Sequence, residues 1–72
     1  MILVTGASGL VGRQLVPRLH AEGLPVRAYV LPARGERPPR MDWPDEVEVV
    51  AGRLDDAQSL YRAMQGVHTV IH

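Results

Sequence analysis

The sequence contains no cysteine and no lysine. Without thiols it can build neither a disulfide framework nor a thiolate metal site. Its three histidines are scattered and do not make a zinc site instead. All eight basic residues are arginine, and eight acidic residues balance them to a formal net charge of zero. A neutral chain with no basic run argues against nucleic acid as a partner. No apolar run approaches the roughly 20 residues that span a bilayer, which argues against a membrane. An apolar segment already begins at residue 2, leaving no room for a signal or transit peptide, so the expected compartment is the cytoplasm. At 72 residues the chain is one small domain or part of one, and it buries only about 60% of its unfolded surface.

What is present is concentrated at the start. Met1 to Val4 is an apolar run suited to a buried strand. Gly6, Gly9 and Gly12 follow in the spacing G-x-x-G-x-x-G, and an apolar rhythm of three and four residues begins at Leu10 and Val11. Strand, tight turn and helix in that order are the context of a dinucleotide-binding fingerprint. Gly6 lets the chain turn sharply where a Cβ would clash. Gly9 leaves room for a pyrophosphate at the backbone, and Gly12 lets the helix pack closely on the sheet. The unpaired amides of the first helical turn, at Leu10, Val11 and Gly12, then favour phosphate charge. Thr5 and Ser8 add hydroxyls that can bond the turn or a ligand.

Downstream, Leu10 to Glu22 reads as the first helix, with Val11, Leu15 and Leu19 as its apolar stripe and Val16 widening it. Gly23 is its stop. Pro17 removes the hydrogen bond to the Arg13 carbonyl at a cost of about 3 kcal/mol, so a kink or local loosening is expected there. Pro25 to Leu31 alternates as a second strand with one better-covered face, leaving Tyr29 a strand-surface residue. Pro32 to Asp45 holds four prolines and is expected to cross over as a loop, with Trp43 as a lid anchoring it onto the sheet. Val47 to Ala51 is the third strand. Asp55 or Asp56 should cap a helix over Ala57 to Gln65 that buries Leu60, Ala63 and Met64 and ends at Gly66. Thr69 to His72 is the fourth strand.

The segment T-G-A-S-G-L-V-G, Thr5 to Gly12, resembles the signature of the extended and atypical short-chain dehydrogenase/reductases. That group includes NAD-dependent epimerase/dehydratases and NmrA-like NAD(P)H-binding proteins. V-R-A-Y-V, V-E-V-V-A-G-R-L-D-D and G-V-H-T-V-I-H extend the resemblance along the whole chain. It implies an adenine pocket lined by Leu54, beside a position where relatives carry an acid and this chain has Arg53. It also favours Asp56 as the cap. Enzymes of the group use a Tyr-x-x-x-Lys pair. Tyr29 is followed four residues later by Ala33 and Tyr61 by Gln65, so neither is that pair, and no catalytic residue is assigned.

In this fold an acid near the end of the second strand serves NAD, and an arginine there serves NADP. Here the strand ends Leu31-Pro32-Ala33-Arg34, with Leu31 where many relatives have arginine. Arg34, Arg37 and Arg13 are candidates for a phosphate partner. The cofactor is therefore NAD or NADP, with a tilt toward NADP.

The expected architecture is α/β: a partial Rossmann fold, β-α-β-loop-β-α-β, with right-handed crossovers and a parallel sheet in the order 3-2-1-4. Residues 1–72 would be the N-terminal part of a NAD(P)-binding Rossmann domain, which needs roughly twice this length. The expected cofactor-binding residues are Gly6, Ser8, Gly9, Leu10, Val11, Gly12, Arg34 and Leu54, with no metal site. The fourth strand would be an exposed apolar edge open to self-association. Three functional readings follow: the cofactor-binding portion of a reductase, epimerase or dehydratase; a non-catalytic NAD(P)H sensor or regulator; or an inactive gene fragment.

Overall fold

A computed structural model describes residues 1–33 and 39–72. Their elements in chain order are β1 (Ile2–Thr5), α1 (Leu10–Ala21), β2 (Val26–Val30), β3 (Glu48–Ala51), α2 (Ala57–Ala63) and β4 (Thr69–Ile71). All strand pairs are parallel, and the sheet order is β3-β2-β1-β4. Val4 of β1 lies opposite Ala28 on one side and Ile71 on the other. The chain thus steps outward from β1 through β2 to β3, then returns to place β4 on the opposite flank. That reversal puts a topological switch point at the carboxyl end of β1.

Alternation along the strands feeds two apolar layers. Ile2, Val4, Val26, Ala28 and Val30 face α1, where Val16 is fully buried and Leu15 and Leu19 pack beside it. Leu3 and Tyr29 face the other way, against Ala63 and Leu60 of α2, with Val50 and Val67 alongside. Burying a side chain of this size contributes about 1.5–3 kcal/mol relative to exposure. The second strand therefore has two covered faces rather than one. Tyr29, expected at the strand surface, is 1% exposed because α2 closes over it.

Helix α1 starts from Gly9 in extended conformation, with no side-chain cap. It stops at Gly23, whose φ is +81°. The Gly23 amide donates to the His20 carbonyl at 2.9 Å, and the Leu24 amide donates to the Leu19 carbonyl at 3.2 Å. This is a glycine-terminated helix end that uses the last orphan carbonyls. The helix runs unbroken through Pro17. The Arg13 carbonyl, deprived of an amide donor at Pro17, accepts instead from the Trp43 indole at 3.2 Å. Trp43 also packs on the α1-side core, so it anchors the crossover to the helix as well as to the sheet layer. Val11 departs from expectation: it is 78% exposed. The buried positions of α1 are Gly12 and Val16. A glycine occupies the point nearest the sheet, so the buried stripe is rotated away from Val11.

The N-terminus of α2 is capped by Asp56. Its carboxylate accepts from the Ser59 amide at 3.3 Å and from the Ser59 hydroxyl at 2.8 Å. The helix ends at Ala63, short of Gln65, and Met64 is exposed rather than buried. Arg27 of β2 meets this end. It donates to the carbonyls of Ala63 at 2.6 Å and Gln65 at 2.7 Å, and to Glu48, its register partner on β3, at 2.8 Å. A cation placed on the final carbonyls of a helix complements its dipole. On the far flank β4 is the sheet edge, with Val70 exposed.

Arg27→Met keeps the stem and deletes three charge-assisted hydrogen bonds. It should lower unfolding free energy by about 2 kcal/mol in urea titration. The Ser59 hydroxyl bond, then the Ser59 amide, hold the Asp56 carboxyl below its ordinary range. A lowered folded value stabilises the fold above the unfolded pKa, and this is lost as pH falls below about 4. Asp56→Ala should therefore flatten the acid limb of stability against pH and leave its alkaline limb unchanged.

Candidate functional site

β1 ends at Thr5, and the chain turns at once through Gly6, whose φ is +60°. A Cβ at Gly6 would meet nothing within 4 Å. Glycine is needed there for the left-handed backbone angle, not for room, which corrects the expectation of a clash. The Gly9 amide closes the turn on the Gly6 carbonyl at 3.0 Å, and the Ala7 amide ties it to the Tyr29 carbonyl at 3.3 Å. At Gly12 a Cβ would lie 2.6 Å from Ala7 Cα and 2.8 Å from the Gly6 oxygen, so the helix rests on bare main chain.

The first bond of α1 runs from the Arg13 amide to the Gly9 carbonyl at 2.9 Å. Among the described residues, the amides of Leu10, Val11 and Gly12 have no backbone partner. They sit at the positive end of a helix of 12 residues.

This turn divides a groove along the carboxyl ends of the strands. One half, about 490 Å³, lies over β2 and β3 and is lined by Ser8, Leu31, Leu54 and Tyr29. The other, about 480 Å³, lies over β4 and is lined by Leu10, Val11, Ile71 and His72. Gly6, Gly9 and Leu54 border both. The structure thus brings together seven of the sequence-expected residues: Gly6, Ser8, Gly9, Leu10, Val11, Gly12 and Leu54. Arg34 lies outside the described residues, as does Arg37.

Tyr29 is a groove residue that sequence reasoning placed elsewhere. Its hydroxyl donates to the Arg53 carbonyl at 2.8 Å and so holds the segment after β3 against the sheet. A Cβ on Gly52 would come within 2.7 Å of Tyr29 Cζ and closer still to its oxygen. The available signal was therefore Gly52 itself, a glycine directly after a strand. Burial, then the negative charges of Asp56 and Asp55, push the Tyr29 phenol above its ordinary pKa, which keeps it a donor. Arg53 is turned outward and pairs with Asp55 at 3.2 Å.

On the β4 side the Thr5 hydroxyl meets His72 Nδ1 at 2.6 Å and links the ends of neighbouring strands. Tyr61 is on the exposed side of α2. Among the described residues no group of histidine, aspartate or glutamate side chains is placed to hold a metal, and no helix is long and apolar enough to cross a membrane.

Comparison with known proteins agrees with this geometry. The model of the NmrA-like family matches residues 1–72. A (4-alkanoyl-5-oxo-2,5-dihydrofuran-3-yl)methyl phosphate reductase of Streptomyces griseus is 45% identical over 71 residues, covering 97% of this chain and 23% of that protein. A ceramide reductase of Caulobacter vibrioides is 40% identical, covering 100% of this chain and 22% of the relative. A crystal structure of a short-chain dehydrogenase/reductase superfamily protein from Agrobacterium tumefaciens with bound NAD superposes with a TM-score of 0.75 at 40% identity, covering 97% of this chain and 19% of that one. The chain spans about a fifth of the length of these relatives. With its parallel 3-2-1-4 sheet and glycine turn at the switch point, the chain belongs to the NmrA-like family, and its fold is the dinucleotide-binding kind of the short-chain dehydrogenase/reductases.

Proposed function

We propose that this chain is the cofactor-binding segment of an NAD(P)-dependent oxidoreductase of the reductase kind. The observation that carries the reading is the glycine turn, whose helix-start amides have no backbone partner among the described residues, set between two groove halves of similar volume. A dinucleotide is two nucleosides joined by a pyrophosphate, and the site has that form. Gly9 is exposed, and a Cβ there would already crowd the Gly6 oxygen at 3.3 Å, so the space before the turn is kept by the missing side chain. The amides of Leu10, Val11 and Gly12 would hold the pyrophosphate.

The adenosine end belongs on the β2 side, against Leu31 and Leu54, because the end of the second strand reads the adenosine ribose in this fold. The nicotinamide end would then lie on the β4 side, near Ile71 and His72. The cofactor, when bound, supplies hydride transfer. This chain's residues bind and orient it; with no lysine, they do not supply the Tyr-x-x-x-Lys proton relay. Two similar proteins named as reductases favour a reductase over an epimerase or dehydratase. Membership of the NmrA-like family supports a second reading, an NAD(P)H-binding sensor. Oxidation of NAD(P)H by the whole protein with carbonyl substrates would support the enzyme; tight binding without turnover would support the sensor.

Gly9→Val should weaken NAD(P)H binding by about 100-fold or more, equivalent to about 2.7 kcal/mol, as measured by calorimetry. Gly9 has φ −75°, which any residue adopts, so the backbone angle does not oppose the change, and a urea titration of the variant separates lost affinity from lost stability. Unchanged affinity would remove the pyrophosphate from this turn. Arg34→Ala should weaken NADPH several-fold and leave NADH unaffected, because a guanidinium there serves only the added phosphate. Equal loss for both cofactors would take Arg34 out of the site.

A further inference from the structure

The turn after β3 hangs on one carbonyl. The Arg53 carbonyl accepts from the Tyr29 hydroxyl at 2.8 Å and from the Asp56 amide at 3.2 Å. The Asp56 bond closes a turn over residues 53–56, with Leu54 as the first of its two central residues. The Tyr29 bond ties that turn to the sheet. One residue earlier, the Gly52 amide donates to the Val30 carbonyl at 2.9 Å. Neighbouring residues of β2 thus seat the approach to the turn, Val30 by main chain and Tyr29 by the tip of its side chain. The chain passes so near the ring that a Cβ on Gly52 would lie 2.7 Å from Tyr29 Cζ. Tyr29 is 1% exposed, whereas Leu54, on the turn it holds, is 50% exposed and borders the groove.

We propose that Tyr29 is a positioning residue for the adenosine half of the dinucleotide: its hydroxyl sets the height of the turn over residues 53–56, and with it the apolar face that Leu54 offers to the adenine ring. The proposal rests on the dinucleotide reading above. Tyr29 lines the β2-side half of the groove and not the β4-side half. With so little of its own surface exposed, it has almost nothing to offer a ligand directly, so its effect passes through Leu54. A packed ring with two rotatable bonds makes its oxygen a fixed point in the sheet. Without that oxygen the Arg53 carbonyl still has the Asp56 amide, so the turn persists. It is then free to ride away from the sheet, and binding must order it again.

The test titrates the whole protein with ADP-ribose, which carries the adenosine and the pyrophosphate without the nicotinamide. Tyr29→Phe keeps the ring and deletes the donor. It should weaken ADP-ribose about three- to tenfold, the range expected from one net hydrogen bond. Leu54→Ala removes the apolar face itself and should weaken ADP-ribose about tenfold. The double variant should bind little worse than Leu54→Ala alone, because a height matters only while a side chain stands there to be raised. A tyrosine that merely stabilises the fold would give losses that multiply, and that result would overturn the proposal.

Gly52→Ala attacks the same seat from the other side. Its backbone angle lies outside the left-handed region, so alanine brings no strain of its own. The added carbon pushes the segment off the ring while the hydroxyl stays, and the variant should copy the ADP-ribose loss of Tyr29→Phe. Urea titration shows which variants are folded. Full affinity in a folded Tyr29→Phe or Gly52→Ala protein would overturn the role of Tyr29 and leave the dinucleotide reading standing. If the unaltered protein bound neither ADP-ribose nor NAD(P)H, the dinucleotide reading would fall and this role with it.

Discussion

No side chain separates the first turn of α1 from the end of β1. The helix sits so close that a single carbon added at Gly12 would lie 2.6 Å from Ala7 Cα. Main chain on main chain has no flexible end to move aside, so this approach fixes the helix axis relative to the strand. The amides of the helix start are thereby held directly above the sheet's switch point, which is where the groove divides. The positive φ at Gly6 is the other half of the constraint, because it delivers the chain from strand to helix within a few residues. Loss of either would displace the start of α1 from the sheet and leave two unrelated hollows.

The second layer is held differently. Helix α2 has only 7 residues, too few to persist by itself in water. It is secured at both ends by polar side chains: Asp56 and Ser59 at its start, Arg27 at its finish. Between them Tyr29 is buried by its ring and tethered by its hydroxyl to Arg53. This layer adds a few directional side-chain bonds to a smaller apolar cluster, whereas the α1 layer relies on apolar area. The groove wall after β3 belongs to the layer held by those bonds.

Much of this was legible in the sequence because its causes are local. The glycine spacing, the Gly23 stop and the Asp56 cap each depend on residues within about five positions of one another. The apolar runs identified the four strands, and the resemblance supplied their order. What was misread depends on residues far apart in the chain. Tyr29 alternates like a surface residue until α2 covers it. Val11 fits an apolar stripe until Gly12 takes the place nearest the sheet. Met64 was expected in the core, but Arg27, 37 positions earlier, occupies the end of α2. Pro17 looked like a flaw in α1; the carbonyl it frees is used by Trp43, 26 residues beyond it.

That last bond has an optical consequence. Trp43 is the only indole in the chain. Its excited state responds to the polarity around the ring and to any partner on its nitrogen. Red-edge excitation, which avoids the two tyrosines, therefore interrogates a single place in the molecule. The emission colour becomes a gauge of how the crossover rides on its helix and on the core beneath, readable without a label.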